Sequence, residues 1–187
     1  VPAGQMGCHD EKHMGCDSGG RGHQSDDHGV TDQIKGGIRM KVSKSPWMLH
    51  YDGSSCNGCD IEVLACTMPR FDVERFGVIN TGNPKHADIL MITGGINAQN
   101  RPVVEQIYSQ MPSPKVVVAV GICACNGGVF KDCYNILGGV DTVLPVDIYV
   151  PGCAARPEAI IDGVVKAVAL LDEKRKAMRE DKKEAGQ

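Results

Sequence analysis

The sequence predicts a doubly wound α/β domain built on a parallel sheet. Short runs of apolar, β-branched residues alternate with amphipathic segments over most of the chain, and several of the runs end on glycine-containing turns. Aromatic residues make up only 4%, so the core must rest on Val, Ile, Leu, Ala and Met, which suits a sheet buried on both faces. With 187 residues, 42% of them hydrophobic, the chain can form one well-filled core but not two ordinary domains.

The first strand is expected at residues 47–51 (WMLHY), after Ser45-Pro46 and before the turn signal DGSS. DIEVLAC, residues 60–66, has helical composition. Pro69 interrupts it, and FDVERFG over 71–77 reads as a second short helix closed by glycine. A second strand is expected over 87–93, ending on Gly94-Gly95. Residues 102–111 place Val103, Val104, Ile107, Tyr108 and Met111 on one helical face, and Pro112 and Pro114 stop that helix. The third strand, 115–120, is apolar at five of six positions and reads as central and doubly buried; a fourth, 142–150, contains Pro145, which favours an edge position or a bent entry. A final helix starts near Arg156-Pro157-Glu158 and carries Ile160, Ile161, Val164, Val165, Val168 and Leu171.

This divides the chain into residues 1–36, a flexible tail rich in His, Cys and Gly; 37–171, the α/β domain; and 172–187, a charged C-terminal extension. A net charge of −3 and the lack of a basic, aromatic-interleaved stretch argue against nucleic acid as a partner. No apolar run is long enough to span a membrane. The opening VPAGQMGCHDEKH has neither the basic nor the apolar region of a secretory signal, from which a cytoplasmic location is expected.

Nine cysteines, an odd number, argue against a disulfide framework in a reducing compartment and favour metal or cluster ligation. In a parallel sheet the loops after strands one, three and four leave from the same edge, where open α/β sheets place their ligands. Those loops hold Cys56 and Cys59, Cys123 and Cys125, and Cys153. Cys56-Asn57-Gly58-Cys59 lets two thiolates converge, and cysteines that closely follow Gly121 and Gly152 supply further corners of a tetrahedral set. Zinc held by four thiolates, stapling a non-redox binding module, is a second reading, and a thioredoxin-like dithiol a third. A single Cys-x-x-Cys knuckle with two widely spaced partners fits a cluster better than zinc.

GSSCNGCDIE, PRFDVERFG, HADILMITGGI, VVVAVGICACNGGVF and VDIYVPGCAARPEAIIDG, in that order, resemble the small-subunit family shared by energy-converting [NiFe] hydrogenases and the 20 kDa subunit of complex I. The resemblance covers about residues 47–171. It implies a flavodoxin-like fold with one [4Fe–4S] cluster on Cys56, Cys59, Cys123 and Cys153, with Cys123 rather than Cys125 at the family's ligand position. The quinone-reducing branch typically has adjacent cysteines at the first ligand site. The CNGC spacing here is similar to the hydrogenase branch, in which the cluster is proximal to a nickel–iron centre.

The implied function is electron relay between a [NiFe] large subunit and a ferredoxin-like iron–sulfur subunit in a membrane-bound, energy-converting hydrogenase. This chain would be peripheral, on the cytoplasmic side of the cell membrane and only indirectly in touch with membrane subunits. The same relay in a complex I-like quinone oxidoreductase is the alternative. The family also suggests proton coupling at Glu62, which could otherwise be a solvated acid in a first helical turn. Arg70, Asp72 and Arg75 resemble positions facing the large subunit. Cys66 and Cys133 are expected to pack in the core, as free cysteines often do, while Cys8, His9, His13 and Cys16 form a weak metal-binding motif in the tail.

Overall fold

The computed structural model describes residues 45–184. Strand β1 (Trp47–Asp52) leads into helix α1 (Gly58–Cys66), a 3-10 turn at Val73–Phe76 and the short strand β2 (Ile79–Asn80). Strands β3 (Ile89–Thr93) and β4 (Ile96–Asn97) precede α2 (Asn100–Gln110); β5 (Val116–Val120) runs into the short α3 (Ile122–Asn126). After a 3-10 turn at Gly128–Phe130 come β6 (Ile136–Gly138), a further 3-10 turn at Val140–Thr142, β7 (Ile148–Val150) and α4 (Pro157–Glu184).

Five strands form one parallel sheet in the order β2-β1-β3-β5-β7. Counted within that sheet alone, the order is 2-1-3-4-5, the flavodoxin-like arrangement, with its switch point between β1 and β3. β3 and β5 are buried along their whole length. Their side chains alternate between two cores: Ile89, Met91, Val116, Val118 and Val120 face α1 and α4, while Leu90, Ile92, Val117 and Ala119 face α2 and α3. Helix α4 presents Ile160, Val164, Ala167, Val168 and Leu171 as one stripe to the first core. Each large side chain buried this way contributes about 1.5–3 kcal/mol.

The expected fourth strand is much shorter than 142–150. Thr142 closes a 3-10 turn, and pairing with β5 starts only past Pro145, which has no N–H to offer a ladder. Asp147 makes the entry: its backbone N–H donates to Val117 O at 3.0 Å, and its carboxylate accepts from Val117 N at 3.0 Å. As Pro145 suggested, β7 is an edge strand. β2 and the antiparallel pair β4–β6 have no counterpart in the sequence reading. Their strands are two or three residues long, too short for an alternation pattern.

Helix α4 continues through Glu184, well beyond its apolar stripe. Two basic residues hold the continuation against the amino edge of the sheet. Lys174 pairs with Asp147 at 2.7 Å and donates to Lys115 O at 3.1 Å, while Arg175 pairs with Asp88 at 2.8 Å. No helix among the described residues is long and apolar enough to cross a membrane. The tail over 1–36, with Cys8, His9, His13 and Cys16, lies outside the described residues.

Candidate metal centre

The carboxyl ends of β1, β3, β5 and β7 meet around one small cavity. The loop after β1 is pinned to the end of β3: Gly53 N donates to Thr93 O at 2.8 Å, Ser54 N to Gly95 O at 3.0 Å, and Gly95 N to Ser54 O at 3.2 Å. Asn57 takes a left-handed conformation and starts α1, so Cys56 stands just before the helix and Cys59 in its first turn. Gly121 N and Ile122 N donate to Val150 O and Gly152 O at 2.8 and 2.9 Å, which ties the Cys123 loop to the Cys153 loop.

Cys56, Cys59, Cys123 and Cys153 all line this cavity of about 100 Å³, together with Gly58, Gly94, Gly152 and Ala154. Cys56 and Cys153 are exposed, whereas Cys59 and Cys123 are half-buried. Glycines make room for the sulfurs. A Cβ on Gly121 would collide with Cys59 Sγ, one on Gly128 would stand 3.1 Å from Cys123 Sγ, and one on Gly58 3.4 Å from Cys56 Sγ.

The electrostatics show that the four thiols share one space. Burial pushes the Cys123 thiol above its ordinary pKa, and charge on Cys59, Cys153 and Cys56 pushes it further. Burial likewise raises Cys59; a backbone hydrogen bond from Ala155 opposes the shift, and charge on Cys56, Asp60 and Cys153 adds to it. Four thiolates here would repel one another unless a cationic centre sat among them.

Cys125 is directed elsewhere. It borders a separate depression with Lys131, Asp132 and Asp141, its Sγ lies 4.0 Å from Ala119 O, and burial followed by the Asp141 charge raises its pKa. Cys66 is buried, as expected, with Sγ donating to Glu62 O at 3.2 Å and Pro157 O at 3.5 Å. Cys133 corrects the expectation of a core residue: it is exposed in the turn that precedes β6. The helix-like composition around it forms only isolated turns, so nothing covers the thiol.

Glu62 is half-buried on α1, one turn after Cys59, and does not line the cavity. Arg70 and Arg75 are exposed, with guanidinium groups over the neighbouring rings of Phe71 and Phe76 at 5.6 and 5.1 Å. Asp72 adopts a left-handed conformation that starts the 3-10 turn.

One group of residues escaped the sequence reading. Thr93, the only buried polar residue among the described ones, donates to the carboxylate of Asp60, which also neighbours His50, Ser55 and the Asp52 carboxylate. A lone threonine at the sheet-edge end of ILMIT, and a histidine inside the first strand, were the available signals.

A sheet of flavodoxin order, with four cysteines lining one cavity at its carboxyl edge, defines an α/β domain whose thiols gather where such sheets place their ligands. Comparison with known proteins places it more narrowly. The chain belongs to the family of the NADH ubiquinone oxidoreductase 20 Kd subunit, whose profile matches residues 56–167. It is 48% identical over 130 residues to the Pyrococcus furiosus protein named probable membrane-bound hydrogenase subunit mbhJ, covering 70% of this chain and 78% of that one. It is 42% identical over 140 residues to an NADH-quinone oxidoreductase subunit of Geotalea daltonii, covering 75% and 80%. Among solved structures, a chain of the archaeal membrane-bound sulfane sulfur reductase superposes with a TM-score of 0.61 at 36% identity, covering 70% of this chain and 72% of that one. These relatives are subunits of oxidoreductase complexes.

Proposed function

We propose that this chain carries one [4Fe–4S] cluster on Cys56, Cys59, Cys123 and Cys153 and relays electrons between a [NiFe] large subunit and a ferredoxin-like iron–sulfur subunit of a membrane-bound hydrogenase. The observation that carries the reading is the single cavity lined by those four cysteines, with glycine facing three of the sulfurs. Zinc would need its thiolates drawn to about 2.3 Å from one point. Here they surround a cavity of about 100 Å³. That donor arrangement fits a group that brings its own bulk.

When bound, such a cluster supplies one-electron transfer, with no substrate bond made or broken on this chain. The protein's part is to fix four sulfurs, keep two of them away from water and leave an opening toward a partner. Cys59 and Cys123 form the inner wall, and Cys56 and Cys153 the outer one. On α1, the helix that carries Cys59, Ile61 and Leu64 are exposed, with Met68 just beyond its end. Large apolar side chains left in water next to a redox site suit coverage by another subunit. The hydrogenase assignment rests on the CNGC spacing and on the 48% identity to the hydrogenase subunit, and the location on the cytoplasmic side of the membrane follows from that assignment.

The test is anaerobic purification of the complex, with iron, nickel and zinc measured on this chain and on its partners. About four irons per chain, a reducible low-spin signal and nickel in a co-purifying subunit are expected. Zinc in place of iron would refute the cluster, and iron without nickel would move the chain to the quinone-reducing alternative.

A further inference from the structure

The Cys-x-x-Cys segment is bracketed by two residues of one buried polar cluster. Ser55 stands immediately before Cys56, and Asp60 immediately after Cys59. The Asp60 carboxylate joins three parts of the fold. Its Oδ1 accepts from Thr93 Oγ1 at the end of β3 and lies 2.9 Å from His50 Nε2 on β1, and its Oδ2 lies 3.3 Å from Ser55 Oγ, whose hydroxyl is shared with Asp52 Oδ1 at 3.2 Å. His50 Nε2 is also 3.1 Å from Thr93 Oγ1, and Ser55 Oγ accepts from Asn57 N at 3.1 Å. The three central side chains are withdrawn from water: Thr93 is 0% exposed, and the His50 and Asp60 side chains are 17% and 13% exposed.

Burying a carboxylate, an imidazole and a hydroxyl together is costly, and an apolar set of the same volume is often as stable or more so. The fold therefore gains little from this cluster as packing. Its position suggests what it does instead. Asn57 makes no side-chain cap for α1, so the first turn, which carries Cys59, is held to the sheet through Asp60 rather than by an N-cap. We infer that Asp60, held by Thr93, His50 and Ser55, is a positioning residue that fixes the Cys56 and Cys59 sulfurs against those of Cys123 and Cys153.

The inference rests on the proposed cluster, and its test separates the two. In the assembled complex, purified anaerobically, Thr93→Val and Asp60→Asn are compared with wild type and with Thr93→Ser, which keeps the hydroxyl. Three readouts are taken: the rate of iron loss to EDTA, the electron paramagnetic resonance line shape of the reduced protein, and the midpoint potential. Loss of an outer-shell partner typically costs 10–100-fold in metal retention, so Thr93→Val and Asp60→Asn are expected to lose iron at least about 10-fold faster, with altered line shape. Asp60→Asn also removes a negative charge beside Cys59 and should raise the potential. Thr93→Ser should match wild type. Failure of Thr93→Val to hold any iron while Thr93→Ser holds it normally supports the same conclusion. Wild-type rates and spectra in both variants, or equal lability of Thr93→Ser and Thr93→Val, overturn it and leave the cluster reading intact. Iron-free wild-type protein would overturn both.

Discussion

Replacing Gly121 with alanine drives a Cβ into Cys59 Sγ, at a residue whose φ of +84° disfavours any L side chain. Two costs combine. With φ at +84° and ψ at 160°, the backbone lies where essentially only glycine goes, which costs about 1–3 kcal/mol once a Cβ is present, and forced overpacking typically adds about 1–3 kcal/mol. Cys59 cannot retreat freely, because it lies in the first turn of α1 and packs against the core formed with α4. The expected loss is thus about 2–6 kcal/mol, a melting temperature lower by roughly 6–18 °C for a domain of this size. Gly82→Ala is the internal control. Its Cβ would meet nothing within 4 Å, and its φ lies outside the left-handed range.

The assay pairs thermal unfolding with iron content on the same anaerobic preparations. Gly121→Ala should show the lower melting temperature and a loss of iron, while Gly82→Ala stays at wild-type values. A Gly121→Ala protein that melts low but keeps its iron and its spectrum would show that Cys59 can move without harm, and would refute the argument that glycine sets the sulfur's place. A melting temperature indistinguishable from that of Gly82→Ala would refute the strain estimate as well.

Cys153→Ser should abolish cluster assembly and Cys125→Ser should leave iron content near wild type, since only the former residue lines the cavity; equal iron loss would show that the choice between Cys123 and Cys125 was misplaced. Burial, with the charges of Glu62 and Glu158, pushes the Cys66 thiol up to about 11 from an ordinary 9.0. The folded state therefore keeps a proton that the unfolded chain releases, so stability should fall between pH 9 and 11 by at most about 3 kcal/mol through this group. Denaturant titrations across that range should give a shallower fall in Cys66→Ala; parallel curves would contradict it. If Glu62 acts in the proposed relay, Glu62→Gln in the assembled complex should retain iron while slowing hydrogen turnover, and unchanged turnover would exclude that role.

What the sequence made legible was whatever repeats over several residues or stands out by chemistry. The apolar runs of β3 and β5 and the stripe on α4 fixed the layers, and glycine next to cysteine marked the loops at the carboxyl edge. Asp60 was hidden for the opposite reason. An acid in the first turn of a helix is ordinarily a solvated group favoured by the helix dipole, and nothing local shows that it turns inward to Thr93, thirty-three residues away. The truncated β7 follows the same logic. Val143, Leu144 and Val146 have the composition of a strand, yet Leu144 packs in the α2–α3 core, while the missing N–H of Pro145 keeps this stretch out of the ladder.

The asymmetry of the four cysteines bears on the direction from which electrons would come and go. Cys59 and Cys123 are backed by the sheet and its helices, and burial raises both thiols. Their side of the cavity is closed by Ile122 and by the core beneath α1. Cys56 and Cys153 face outward, on loops far apart in the chain but brought side by side by the parallel order of β1, β3, β5 and β7. Outer-sphere transfer depends on close approach, so with a cluster held on these four residues a productive partner would seat over the exposed Cys56 and Cys153, and the exposed Ile61 and Leu64 of α1 offer it apolar contact. Exchanging Ile61 and Leu64 for serine changes no cavity-lining residue and adds no charge, so it should keep iron content and midpoint potential at wild-type values while weakening attachment of the subunit that covers the opening. Pull-down of the complex with quantification of each subunit reads this directly: loss of one partner with a normal cluster is the expected result, and full retention of all partners would mean that the exposed face of α1 is not where electrons are handed over.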